Sequence, residues 1–323
     1  MKSKYFLYLF PYLLLGFTSQ AYSQNFKNEL EIISDNDVYI AFMQDRYYTN
    51  GLFVNFRHAY NQEKLNPALV KKTLGITIAQ KIYTPYYGQA PDPTLHDRPF
   101  TGYLYTGIVF NQFYKNEQML SYGINVGATG KSSLAEETQR RFHQLLGIYK
   151  ISGWEYQLKG EFSVNLNAAY NKMLFRTESD KFDIIGTTSA ALGNALTSVS
   201  AGAMLRFGKI NPIHSSASFN SRISNNTKSE TKSVTKEFFL FTKPELNFIG
   251  YDATIQGGLF LDDKGPITFG VKRFVYSQQV GLIFASKRWT ANYTTIFKSR
   301  EVKSRAKAYY YSSVGLAYQF NKS

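Results

Sequence analysis

Apolar and polar residues alternate along much of the chain, and the longest such alternation runs from Trp154 to Tyr170. Side chains two positions apart lie on the same face of a β-strand, so this segment is predicted to form a strand with one apolar face. Strands of soluble proteins usually have about 5 to 6 residues, and a bilayer accepts strands only when a closed barrel pairs every backbone amide. The segment therefore predicts a membrane-spanning β-barrel.

The same two-residue period recurs in other segments of the sequence. The predicted strands are 28–39, 49–60, 73–83, 100–113, 118–128, 154–176, 182–193, 196–208, 237–249, 270–286, 288–298 and 307–320. Bacterial barrels have an even number of antiparallel strands, and spanning takes about 9 to 11 tilted residues. The chain also ends shortly after Tyr318 and Phe320, an aromatic ending common among outer-membrane proteins. We predict an all-β protein, a 12-stranded antiparallel transmembrane β-barrel.

One connection does not fit this count easily. If both termini are periplasmic, the Ser-, Asn- and Thr-rich stretch 213–236 joins strands eight and nine on the periplasmic side, where turns are short. Either the hairpin predicted near Gly193 to Leu196 is wrong, or this barrel has an unusually long periplasmic turn. The sequence leaves both alternatives open.

Composition and the first residues indicate an exported protein. Aromatic residues make up 16% of the chain, which suits the two aromatic girdles of a membrane barrel. The long apolar run 5–17 follows two lysines and precedes the small-residue segment 21–23. This order is typical of a signal peptide, so we predict a signal peptide over 1–23 and the outer-membrane barrel over 24–323.

The formal net charge of +14 raises the question of a nucleic-acid partner. An exported barrel instead meets anionic lipid headgroups, which a basic surface also attracts. We therefore expect a location in the bacterial outer membrane, no nucleic-acid partner, and a monomer.

The segment from Ser132 to Gly147 is predicted as a short helix in an outer-face loop. Ser132 or Ser133 is the predicted N-cap, and Glu136 and Glu137 favour the first turns, where the helix dipole attracts negative charge. Gly147 suits the C-terminal end of the helix.

Gln139 and His143 are four residues apart and lie on one face of this helix. A lone histidine is more often a packed or solvated residue than a functional one. Here a side chain able to orient the imidazole precedes it by one turn at a polar rim, which strengthens the functional hypothesis.

Four polar segments share the outer rim of the predicted barrel, because the connections after odd-numbered strands all lie there. They are the end of strand one near Asp37, the start of strand two near Thr49, and the segments 86–99 and 129–153. Asp37 shares the face of Glu31, and Thr49 shares that of Arg57, opposite the apolar residues. Both side chains are therefore predicted to point into the barrel or its mouth.

Several short motifs along the first half of the chain resemble one known family. They are Ser34-Asp35-Asn36-Asp37, Asp45-Arg46-Tyr47-Tyr48-Thr49-Asn50-Gly51, Ile82-Tyr83-Thr84-Pro85, Asp97-Arg98-Pro99-Phe100-Thr101-Gly102, and Glu137-Thr138-Gln139-Arg140-Arg141-Phe142-His143 with Gly147 and Trp154. In this order they resemble the lipid A 3-O-deacylases of the LpxR type. The resemblance extends from about residue 31 to 165 and is weaker in the second half of the chain.

The resemblance implies an enzyme and its site. A family member of this kind is a Ca²⁺-dependent esterase that removes the 3-linked acyloxyacyl group of lipid A, the glycolipid of lipopolysaccharide, at the outer leaflet. Asn36, Asp37, Thr49 and His143 occupy the family's active-site positions.

Each of these residues has a role that suits ester hydrolysis. A histidine can activate water as a general base, and a hard cation held by oxygen ligands can polarise a carbonyl. We expect His143 to be the base and Asp37 and Thr49 to hold Ca²⁺. Asn36 would orient substrate or donate to the oxyanion, and Gln139 would position His143 or contact substrate.

The sequence departs from the family pattern at two places. Pro85 is followed by Tyr86 and Tyr87, where the family pattern has basic residues, and Tyr149 stands where it has an acidic one. The remaining candidates for a phosphate contact are Arg98, Lys81 and Lys131, and the remaining candidate for the metal shell is Glu155.

Other interpretations stay open at this point. Asp97 and Arg98 are expected to form an exposed ion pair at the rim, which contributes only roughly 0 to 1 kcal/mol. The three histidines His58, His96 and His214 have no neighbouring constellation. As a whole, the chain is alternatively a non-catalytic barrel that binds glycolipid, a structural barrel, or a small pore.

Overall fold

The computed structural model describes residues 26–40, 46–147, 149–226 and 236–322, so the predicted signal peptide lies outside the described residues. Within these residues twelve strands form one closed antiparallel barrel. The strands are β1 Phe26–Asn36, β2 Tyr47–Ala59, β3 Leu69–Thr84, β4 Thr101–Tyr114, β5 Gln118–Thr129, β6 Glu161–Arg176, β7 Phe182–Gly193, β8 Leu196–Lys209, β9 Lys236–Asp252, β10 Phe274–Ser286, β11 Trp289–Lys298 and β12 Tyr309–Lys322. The prediction of a 12-stranded all-β barrel is confirmed.

Pairing of the first and last strands closes the barrel. Ile32 of β1 lies opposite Leu316 of β12, and Phe26 lies opposite Lys322. We call the end that holds Phe26 and Lys322 the terminal rim. The opposite end, where β1 connects to β2, is the loop rim. Among the described residues, no helix is long and apolar enough to cross a membrane.

The two faces of each strand differ as the alternation predicts. Ile32 and Leu52 are half exposed on the outside of the barrel, where an apolar side chain suits a lipid neighbour. Glu29, Glu31 and Arg57 point into the lumen and are buried, and the Arg57 guanidinium pairs with both carboxylates. The predicted inward face of β1 and β2 is therefore confirmed.

The segment that gave the clearest alternation is only partly a strand. β6 begins at Glu161, whereas residues 154–156 form a 3₁₀ turn after Gly153, which has φ of +108°. Trp154 and Leu158 are fully buried rather than lipid-facing. The backbone of Leu158 pairs with Phe100 and Lys131 in neighbouring connections. Side chains buried between loops gave this segment the same two-residue period as a strand. The predicted start of strand six at residue 154 is therefore wrong.

The predicted helix is present but begins later than expected. α1 spans Ala135–Leu146 and ends at Gly147 in the left-handed conformation, as predicted. It is preceded by a 3₁₀ turn, Gly130–Ser133, in which Ser133 Oγ donates to the Gly130 carbonyl at 2.6 Å. Leu134, in the left-handed region, occupies the N-cap position without a side-chain bond. The prediction that Ser132 or Ser133 caps the helix is therefore wrong.

The long connection between β8 and β9 folds back into the barrel. The hairpin at Gly193 to Leu196 is present as predicted, so the long turn is a real feature at the terminal rim. We call its described part, residues 210–226, the terminal plug. Its apolar side chains are buried against the lumen; they are Ile210, Ile213, Ala217, Phe219 and Ile223. Lys71 Nζ holds it by donating to the carbonyls of His214 at 2.7 Å and Ser221 at 2.5 Å.

Candidate active site at the loop rim

The acidic turn after β1 is fixed by Asn36. Its side-chain oxygen accepts from Val38 N at 2.7 Å and caps a short 3₁₀ turn, and its amide donates to Asn50 Oδ1 at 2.7 Å. Because of this cap, β1 ends at Asn36 rather than at the predicted residue 39. Asp37, the first residue of the turn, is 3% exposed, and its Oδ2 accepts from Arg46 N at 2.8 Å.

Thr49 sits at an irregularity in β2. The register between β2 and β3 shifts between Tyr48 and Asn50, so Thr49 is the bulged residue, a feature that re-aims side chains. It is fully buried, and its hydroxyl donates to the Ile82 carbonyl at 3.4 Å. Asn36 of β1 lies opposite Asn50 of β2. Asp37 comes directly after Asn36 and Thr49 directly before Asn50, so both lie one step beyond this pair, towards the loop rim. The two predicted metal ligands are therefore neighbours.

His143 lies in the last turn of α1 and is 3% exposed. Its Nδ1 lies 3.0 Å from the Tyr149 carbonyl oxygen, and the Tyr149 ring meets the imidazole edge-on at 5.0 Å. A carbonyl oxygen only accepts, so Nδ1 must carry the hydrogen. In the neutral ring Nε2 is then the basic nitrogen, which is the arrangement a general base requires.

Gln139 is buried one turn before His143. Its Oε1 accepts from the indole Nε1 of Trp154 at 2.9 Å, and because an indole only donates, this bond fixes the orientation of the amide. The Gln139 Nε2 is buried and has no hydrogen-bond partner among the described residues. A buried donor left in this state suits a group supplied by a bound ligand.

The helix and the acidic turn lie at the same rim of the barrel. Asn50 pairs with Ile82, and Ile82 pairs with Gly102, which continues the ladder that starts at Asn36. A Cβ added to Gly102 would lie 2.4 Å from the Ala135 Cβ, so this glycine lets the start of α1 pack on β4. Neighbouring strands are about 4.8 Å apart, and three such steps join the turn to the strand under the helix. The prediction that the site residues share one rim is confirmed.

The expected ion pair of Asp97 and Arg98 is wrong. Both residues are buried. Asp97 accepts from the Tyr47 hydroxyl at 2.8 Å and from Tyr86 N at 2.9 Å. The Arg98 guanidinium donates to Thr254 Oγ1 at 2.8 Å and also pairs with Glu301 at 3.4 Å. Some of these partners lie about two hundred residues away in the sequence. No short motif around Asp97 and Arg98 could therefore have indicated them.

The remaining candidates from the sequence are Glu155 for the metal shell and Lys81 and Lys131 for a phosphate contact. Glu155 is exposed, and its carboxylate accepts from Gly153 N at 3.0 Å. Lys81 places its ammonium 5.7 Å from the Phe53 ring, whereas Lys131 is exposed. His96 is buried, and its Nε2 is bonded to the Ala90 carbonyl at 2.7 Å.

The family model described as "Outer membrane protein LpxR" matches residues 8–320. The chain belongs to the LpxR family. A solved structure of LpxR from Salmonella typhimurium is 20% identical, with a TM-score of 0.72, and the match covers 90% of this chain and all of that one. At this identity the structural likeness shows the fold. The LpxR family and the 12-stranded barrel identify an outer-membrane protein.

A second solved structure also matches. The β domain of the Bordetella autotransporter BrkA is 10% identical with a TM-score of 0.48, over 91% of this chain and 99% of that one. No curated protein matches the sequence.

Proposed function

We propose that this LpxR-family protein is a lipid A deacylase that hydrolyses the ester of the 3-linked acyloxyacyl group. The observation that carries the proposal is a buried histidine with Nδ1 held by a carbonyl, at the same rim as the Asn36–Asp37 turn and Thr49. A histidine base and an oxygen-rich polar cluster at the membrane surface suit the hydrolysis of a lipid ester.

His143 Nε2 takes the proton from a water molecule as the water oxygen attacks the ester carbonyl. The resulting imidazolium keeps its Nδ1–H bond to the Tyr149 carbonyl, which stabilises the positive charge. Return of the proton to the sugar oxygen releases the alcohol and the fatty acid. The reaction consumes one water molecule and breaks the ester C–O bond.

The tetrahedral intermediate needs a donor for its negative oxygen, and Gln139 Nε2 is the best candidate. It is a buried amide donor without another partner among the described residues, on the same face of α1 as His143. The Asn36 amide already donates to Asn50 while its oxygen accepts from Val38. We therefore assign Asn36 the role of holding the turn that presents Asp37.

The donor set beside the turn suits a calcium ion. Asp37 offers a carboxylate and Thr49 a hydroxyl, both hard oxygen donors, and Ca²⁺ takes about 6 to 8 oxygen ligands. The described residues contain no group of three or more His, Cys, Asp or Glu side chains that could hold a metal. A calcium ion here would take the Asp37 carboxylate and the Thr49 hydroxyl among its oxygen ligands. When bound, it would polarise the ester carbonyl.

The test is mass spectrometry of defined lipid A incubated with the purified protein in bilayers, with added Ca²⁺ or with chelator. We expect loss of one acyloxyacyl unit in Ca²⁺ and none in chelator. Unchanged lipid A in Ca²⁺ would refute the deacylase proposal, whereas equal hydrolysis in chelator would refute the calcium requirement alone.

Asp37→Asn refines the metal assignment. The amide oxygen still accepts the Arg46 N–H, so the turn is retained while the charge is lost. We expect this variant to need a higher Ca²⁺ concentration for half-maximal hydrolysis. Asp92→Asn is the matched control, because Asp92 is an exposed carboxylate on another connection of the same rim.

A further inference from the structure

Two cations from opposite ends of the sequence converge on one tyrosine at the loop rim. The Arg46 guanidinium carbon lies 5.2 Å from the centre of the Tyr86 ring, and Lys307 Nζ lies 5.0 Å from it. Arg46 Nη1 also donates to the Tyr86 hydroxyl at 3.2 Å. The face of an aromatic ring attracts each cation. The two cations held near one ring repel each other, and an anion that contacts both would relieve this repulsion.

A buried framework holds the pair in place. Asp97 accepts from Tyr86 N at 2.9 Å and from the Tyr47 hydroxyl at 2.8 Å, and that hydroxyl accepts from Lys307 N at 2.8 Å. The connection that carries Lys307 is thus tied to the connection that carries Tyr86. Asp97 carries one negative charge and the Arg46 and Lys307 side chains carry two positive ones, so these three residues together have an excess positive charge.

The two cations lack ion-pair partners in the described part of the chain. Among the described residues, neither Arg46 nor Lys307 forms a salt bridge. Glu301, on the same connection as Lys307, is turned inward and pairs with Arg98 and Lys298. The exposed side chains of this connection add further positive charge; they are Arg300, Lys303 and Arg305.

The pair is also next to the candidate active site. Arg46 donates its backbone N–H to Asp37 Oδ2, while its side chain reaches Tyr86. Lys307 is exposed, and so is Tyr87, whose ring packs against Tyr86, so a ligand can reach this place from outside. An anionic group bound here would be held at a fixed offset from Asp37.

We propose that Arg46 and Lys307 bind a phosphate monoester of the glycolipid substrate and so position its ester beside Asp37. The identity of the glycolipid rests on the proposed function. A phosphate monoester carries up to two negative charges and several acceptor oxygens, which suits a planar guanidinium together with an ammonium.

Equilibrium binding in detergent micelles tests this without requiring turnover. The protein carries His143→Asn throughout, so that substrate is not consumed, and the probes are lipid A with its phosphates and the same lipid A after phosphatase treatment. Arg46→Gln and Lys307→Gln are compared with the parent. Lys181→Gln, an exposed lysine in the turn between β6 and β7 at the terminal rim, is the matched control.

We expect each rim substitution to raise the Kd for phosphorylated lipid A by about tenfold, the usual scale for a lost bond to a charged group. The Kd for the dephosphorylated form should stay unchanged, as should both values for the Lys181 variant. Equal weakening towards both lipids, or no weakening towards either, would overturn the proposal. Because binding is the readout, failed hydrolysis by the wild-type protein would refute the proposed function and leave this result standing.

Discussion

The Nδ1 atom of His143 lies 3.0 Å from the backbone carbonyl oxygen of Tyr149. Because a backbone atom makes this bond, the side chain at position 149 need not be acidic for the imidazole to be oriented. The tyrosine ring packs edge-on against the same imidazole at 5.0 Å and limits its rotation. The departure from the family pattern at Tyr149 is therefore compatible with a working histidine base.

Gln139 should contribute to catalysis through its amide donor. Gln139→Leu removes Nε2, and we expect kcat for lipid A to fall by about 10²- to 10³-fold, the usual cost of losing one oxyanion donor. Trp154→Phe is the matched control, since it breaks the indole bond to Gln139 Oε1 and leaves the donor in place. Kinetics on defined lipid A measure both. Equal losses in the two variants would mean that Gln139 has only a structural role.

The sequence predicted the barrel well because the period of two is imposed along each strand by lipid outside and polar contacts inside. It also placed Asp37, Thr49 and His143 at one rim, since strand parity decides the end at which each connection lies. The segment before Glu161 was misassigned because burial between loops mimics that period. Contacts across the barrel, such as Arg98 with Glu301, depend on closure and leave no local pattern.

The terminal plug should close the lumen to ions. It is held by Lys71 and by Arg206, whose guanidinium is fully buried and bonds Ser216 Oγ at 2.7 Å and the Asn211 carbonyl at 3.0 Å. We expect no conductance steps from the wild-type protein in planar bilayers and clear steps after deletion of residues 212–224. Deletion of 228–231, from the same connection, is the control and should stay closed. A silent 212–224 deletion that still folds would show that other groups seal the lumen.

Glu301 should make one connection of the loop rim sensitive to acid. Burial raises the pKa of its carboxyl, but the neighbouring Lys298 and Arg98 outweigh this, and the pKa lies below the ordinary value of 4.5. A carboxylate with a lowered pKa stabilises the fold fully above its ordinary pKa and loses this effect as the pH falls through the lower, folded value.

The comparison is between wild type and Glu301→Gln, which leaves the buried Arg98 without its partner charge. At pH 7 we expect the variant to be less stable by about 3 kcal/mol, as for other broken buried pairs. The difference in the free energy of unfolding, measured in urea, should persist down to pH 4.5 and then shrink to zero as the pH falls through the lower pKa of the folded protein. The exposed Glu178→Gln serves as control. A difference that does not change with pH would contradict this assignment.

The hydrolysis rate of defined lipid A by His143→Asn, set beside that of the wild-type protein in the same bilayers, tests the central claim most directly. His58→Asn, at a histidine bonded to Asn28 near the terminal rim, controls for folding and insertion. We predict that His143→Asn lowers the rate by about 10²- to 10⁴-fold, the contribution of a general base, while His58→Asn retains it. A His143→Asn protein that inserts normally and releases the acyloxyacyl group at the wild-type rate would contradict the account.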